Sequence, residues 1–100
     1  MTTAIDHRKS AEERLQALVN TVEAGPRTEA AASFLEECAS LAIAIRAFHM
    51  EAIRFRMFNV DRMLNKGTPA VSEEGRQAFA DVRRHLEAAG FHTRSHQAPG

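Results

Sequence analysis

Tryptophan and tyrosine are absent from this chain of 100 residues, cysteine occurs once, and there are only three prolines and five glycines. So few turn residues and so few large aromatics argue against a strand-rich fold. A lone cysteine, Cys38, closes no internal disulfide and cannot build a cysteine-rich zinc site. Charge of one sign is missing as well. Thirteen basic and thirteen acidic residues cancel, so no global field draws the chain to nucleic acid or to an anionic membrane. Long apolar runs are also lacking. The longest, residues 38–45, has eight residues, and a bilayer span needs about 20. Residues 1–10 carry Asp6, Arg8 and Lys9 and no apolar core, so no signal peptide is expected there and the expected location is cytoplasmic.

Catalytic signatures are equally scarce. The glycines at 25, 67, 75, 90 and 100 fit neither a dinucleotide fingerprint nor a phosphate-binding loop, and Gly-x-Ser-x-Gly does not occur. A di-iron bundle needs Glu-x-x-His, yet Ala4, Arg46, Val82, Ala89 and Thr93 stand three residues before the histidines. No enzyme activity, cofactor or metal is therefore expected. Cys38 lies in an apolar run in register with Leu41 and reads as a buried, inert thiol. His92 and His96 are four apart, a spacing that shares a metal on a helix, but Gly90 works against a helix there.

What is present is helical. One hundred residues make one domain. Ser10 with Glu13 fits a capping box, Leu15, Leu18, Val19 and Val22 form an apolar stripe, and Gly25-Pro26 supplies a stop. This predicts a first helix over residues 10–24, behind an N-terminal arm of residues 1–9. From Thr28 to Lys66 there is no glycine and no proline, and strong helix formers dominate. This predicts one long helix over residues 28–66, closed by Gly67-Thr68-Pro69. A third helix over residues 70–89 follows, with Val71, Ala78, Phe79, Val82 and Leu86 on one face, and then a flexible tail over residues 91–100 in which Phe91 could fold back as a staple. Eleven arginines against two lysines, together with eighteen alanines, suggest a GC-rich bacterial genome.

The long helix carries two apolar faces. Leu41, Ile45, Phe48, Ala52, Phe55 and Met63 share one, and Ile43, Met50, Ile53, Met57, Val60 and Leu64 share another. A helix of about 38 residues would be about 57 Å long, far beyond a compact globule of this size, whose radius of gyration is about 13 Å. Either the helix breaks or its second face meets another chain. The sequence reading favours the second choice: an all-α, three-helix chain with a long central helix, completed as a bundle by homodimerisation. Acidic residues crowd the first part of the chain (Glu12, Glu13, Glu23, Glu29, Glu36, Glu37) and basic ones the later part, which suits an antiparallel pair. In that assembly Met57→Glu would break the dimer and leave a partly helical monomer.

The function expected from this reading is a small non-enzymatic protein–protein interaction module, an adaptor, regulator or chaperone-like subunit, with Ile43, Met50, Ile53, Met57, Val60 and Leu64 at its interface and itself and another protein as partners. The alternative is a nucleic-acid-binding regulator using Arg54, Arg56, Arg62, Arg83 and Arg84, although these do not gather on one face of a helical wheel. A third reading is histidine phosphotransfer through His49, placed mid-helix; the acidic residue, or the lysine and glycine, usual after such a histidine are replaced here by Met50, Ala52 and Ile53.

Overall fold

The computed structural model describes residues 3–91. Within them the chain forms four helices and no strand: α1 (Ala4–Glu23), α2 (Glu29–Ala47), α3 (Met50–Lys66) and α4 (Glu73–Ala88). None is long and apolar enough to cross a membrane. The all-helical class agrees with the sequence; the count of three helices does not. The segment over residues 28–66 is two helices, and the reversal between them turns on Phe48 and His49.

Phe48 takes the left-handed conformation, with φ 50° and ψ 44°. Its N–H bonds the carbonyl of Ile45, and the His49 N–H bonds that of Ala44, the pair of bonds that closes a Schellman motif. His49 then starts α3, its Nδ1 accepting from the Ala52 N–H at 3.2 Å. A left-handed non-glycine residue costs roughly 1–2 kcal/mol. Arg8 on α1 props this corner: its guanidinium donates to the Arg46 carbonyl at 3.1 Å and lies 4.6 Å from the Phe48 ring centroid. The break is therefore a tertiary device as much as a local one.

The other ends carry readable chemistry. Thr28 caps α2 through the Ala31 N–H, and Ser72 caps α4 through the Gly75 N–H. Gly67, at φ 77°, ends α3 in the left-handed conformation that glycine tolerates. The start of α1 differs from expectation. Ser10 lies inside the helix, which begins at Ala4; Thr3 is its cap, and Thr3 and Asp6 form the reciprocal capping box. An equally good box seven residues earlier absorbs most of the expected arm.

The helices run alternately up and down. His7, Arg14 and Thr21 on α1 lie beside His85, Asp81 and Gly75 on α4, so these two are antiparallel. Glu12 on α1 meets Arg46 near the end of α2, and Glu37 on α2 meets Arg56 on α3, so each consecutive pair is a hairpin. Arg83 on α4 reaches Asp61 on α3, and Arg76 caps the Leu64 carbonyl at the end of α3 at 2.9 Å. Thus an arginine–carboxylate pair crosses every seam of the bundle.

One core fills the middle. It draws Leu15 and Leu18 from α1, Phe34, Leu41 and Ile45 from α2, Ile53, Val60 and Leu64 from α3, and Phe79, Val82 and Leu86 from α4. Phe91 folds back beneath α4 and is 1% exposed. Leu41 and Ile45 from one expected face and Ile53, Met57, Val60 and Leu64 from the other thus share one interior, which a straight rod could not arrange. The radius of gyration is 13.3 Å.

Gly75 on α4 packs tightly against α1 and against Val71. A Cβ there would stand 2.6 Å from Val71 Cγ1, 2.8 Å from Thr21 Oγ1 and 3.3 Å from Leu18 Cδ1. Helix propensity alone favours alanine over glycine by about 1 kcal/mol. We predict the opposite sign: Gly75→Ala lowers stability by about 1–3 kcal/mol through overpacking, as read from a urea melt.

His7 and His85 bring their Nδ1 atoms within 3.1 Å at the α1–α4 seam. Burial pushes the His85 pKa below its ordinary value, and the positive field of Arg84, His7 and Arg14 adds to this against the opposing pull of Asp81. The fold favours the neutral ring, so this contribution is intact above the usual histidine pKa of about 6.5 and is lost as pH falls below it. The chain is expected to be less stable to urea at pH 5 than at pH 8, and His85→Gln should narrow the gap. An equal or wider gap in that variant would refute the assignment.

Candidate functional site

The break reorients α3, and with it the surface the bundle presents. Ile53, Met57, Val60 and Leu64 point into the chain's own core. Of the six residues expected at an interface, these four are interior, Met50 is half-buried against them, and Ile43 is exposed on α2, at 65%. The stripe expected to be left over is therefore the stripe that closes the monomer.

What α3 leaves outside is its opposite face. Glu51, Phe55, Phe58, Arg62 and Asn65 recur at spacings of four and three, so they form one line along the helix, and all five are exposed. Phe55 is 57% exposed and Phe58 63%. Two phenylalanines one turn apart on an exposed line differ from the scattered apolar residues common on protein surfaces.

Arginines dress these rings. The Arg56 guanidinium lies 5.0 Å from the Phe55 centroid, and that of Arg62 lies 5.9 Å from Phe58. Each such contact contributes about 0.5–1 kcal/mol at an exposed site and shields one ring face from water. Beside the line runs a groove between α3 and α4, lined by Arg54, Phe55, Phe58, Asp61, Arg83 and Phe91. The Arg54 guanidinium sits 6.0 Å from the Phe91 ring and also reaches Glu51 at 3.0 Å. Arg83 approaches Asp61 at 3.8 Å. The face is aromatic at its centre and bears both signs of charge around it.

The five arginines of the nucleic-acid reading are not a free basic patch. Arg56 donates to Glu37 at 2.9 Å, Arg83 reaches Asp61, and Arg84 and Arg14 share Asp81. Burial alone would raise the Glu37 pKa, but hydrogen bonds from Arg56 and Asn59 and the charges of Arg56 and Arg62 outweigh it and hold the carboxyl below its ordinary value. Asp81 is likewise held low against the effect of burial, by Gln77, Arg84 and Arg14. Glu37 and Asp81 are thus ionised partners that neutralise the arginines beside them.

Other chemistry-bearing residues have structural roles. His49 is not mid-helix; it is the cap of α3. Cys38 is fully buried, and burial, with Glu37 next to it, pushes its thiol pKa up to about 12. Such a thiol is neither a nucleophile nor a ligand at neutral pH. No group of three or more potential metal ligands occurs among the described residues. His92 and His96 lie outside them.

Comparison with protein families, with curated proteins and with solved structures finds no match to this chain. The α3 face is thus assigned on its own geometry. The sequence signal for it was there in the 4-3-4-3 spacing of residues 51, 55, 58, 62 and 65, but a continuous helix places Phe55 on a buried face.

The two faces of α3 should respond oppositely to substitution. Met57→Glu buries a charge and is expected to destabilise the monomer itself by about 3 kcal/mol or more. Phe58→Ser should stay within about 1 kcal/mol of the parent. Circular dichroism through a denaturant titration reads both, and equal losses would overturn the assignment of faces.

Proposed function

We propose that this chain is a small, non-enzymatic protein–protein interaction module that docks its partner on the outward face of α3. The observation that carries this reading is the pair Phe55 and Phe58, exposed on one line and flanked by arginines. Phenylalanine and arginine are among the side chains enriched at protein interfaces relative to the rest of the surface. They offer large apolar area with little rotamer entropy to lose. The four helices close their core without a partner, so the face is spare in the folded monomer.

The charge pattern speaks for a protein partner over nucleic acid. Arg56, Arg83 and Arg84 each have a carboxylate within 4 Å, and Glu51 and Asp61 stand beside the groove. A phosphate backbone would meet those carboxylates as well as the arginines.

Site-directed photocrosslinking tests the proposal. With 4-benzoylphenylalanine at position 55 or 58, irradiation in cells should give one discrete adduct, while the same group at the exposed Gln77 of α4 should not. Loss of any position-specific adduct would remove the proposal. The mass of the adduct identifies the kind of partner.

A further inference from the structure

Building on that reading, we infer that the partner on this face is a second copy of the chain, bound through an antiparallel α3–α3 pair. The line on α3 reads Glu51, Phe55, Phe58, Arg62 in order along the helix: acidic, aromatic, aromatic, basic. This order is its own complement when reversed. A twofold axis midway between positions 56 and 57 sets Phe55 of one copy against Phe58 of the other. The same axis sets Glu51 against Arg62, twice over. A twofold interface requires this kind of self-complementary patch.

The flanking row obeys the same rule. Arg54 and Asp61 lie on one side of the aromatic line, opposite in sign and centred within one residue of the same axis. Reversal therefore sets positive against negative along that row too. A parallel pair would instead set Glu51 against Glu51 and Arg62 against Arg62, and like charges across a seam disfavour it. The antiparallel choice thus follows from the residues themselves. The spacing of four and three averages 3.5 residues, the period with which two helices keep a shared seam in contact.

The existing contacts leave these groups available. The Glu51 side chain is 83% exposed although it touches Arg54. The Arg62 guanidinium lies over its own exposed Phe58 ring, and its charge also acts on Glu37; Arg62 is itself exposed. Pairing the rings removes from water the apolar surface that the monomer exposes. One pair of 17-residue helices makes a small interface, so the association is expected in the micromolar range.

Sedimentation equilibrium of the full chain, from about 10 μM to about 1 mM, measures it. The mass should rise from one chain to two, and Phe58→Ser should remain a single, fully helical chain throughout. Glu51→Arg and Arg62→Glu should each weaken self-association about tenfold or more. An equimolar mixture of these two variants should associate as the parent does, because each introduced charge then faces its opposite across the axis. That rescue cannot arise from a local effect on either helix. A parent that stays monomeric at about 1 mM, a dimer that survives Phe58→Ser, or a mixture no heavier than its components each overturns the inference. If self-association fails while the crosslinker at 55 and 58 yields an adduct of some other mass, the docking face stands and only its occupant changes.

Discussion

Between Ala47 and Met50 the chain reverses direction without a glycine or a proline, and the remaining architecture depends on that corner. Leaving Phe48 in the left-handed region costs roughly 1–2 kcal/mol. The return is much larger. Reversal brings Ile53, Met57, Val60 and Leu64 into the same interior as Leu41 and Ile45, and each large apolar side chain taken from water is worth about 1.5–3 kcal/mol. Arg8, reaching from α1 to the Arg46 carbonyl and the Phe48 ring, ties the corner to the rest of the bundle. The corner also sets the azimuth of α3, and therefore decides which of its faces meets solvent.

Charge organises this bundle more than it stabilises it. Arg14 with Asp81, Arg46 with Glu12, Arg56 with Glu37 and Arg83 with Asp61 cross the four seams, all at least partly exposed. Exposed pairs of this sort contribute about 0–1 kcal/mol each. Their use is in specificity: each holds its two helices in one register, so that the apolar layers meet correctly. Arg8 and Arg76 act differently: Arg8 donates to the Arg46 carbonyl at the end of α2, and Arg76 adds a second donor to the Leu64 carbonyl, which also accepts from the Gly67 N–H. The overall neutrality of the chain is thus the sum of many local pairings and not the absence of charge.

Much of this was legible in the residues. The helical class, the stop at Gly25-Pro26 and the turn at Gly67 all have local causes, and local causes can be read from a linear sequence. The corner at Phe48 has no such cause. Phenylalanine and histidine are ordinary helix residues, and what favours the break is the burial gained along α3, at residues 53–64. The expected interface failed for the same reason. On a continuous helix, Ile53, Met57, Val60 and Leu64 look surplus beside Leu41 and Ile45; once the helix folds back, they are needed. Phe55 changes places with them, from expected core to surface. The start of α1 was misplaced on a smaller scale, because Thr3 with Asp6 and Ser10 with Glu13 are both sound capping boxes and only packing chooses between them.

The exposed rings follow from the same geometry. A helix of 17 residues in a four-helix bundle needs one apolar line, and α3 supplies it with residues 53, 57, 60 and 64. Phe55 and Phe58 add nothing to that interior, and apolar rings on a surface invite indiscriminate association. The arginines over them mitigate this: a guanidinium over a ring covers apolar area while remaining soluble, and Arg56 is held in place there by its bond to Glu37. A face built so is quiet toward most surfaces and sticky toward one that offers aromatic area at its centre and carboxylates at its edge. The outward face of α3 itself, turned end for end, is such a surface.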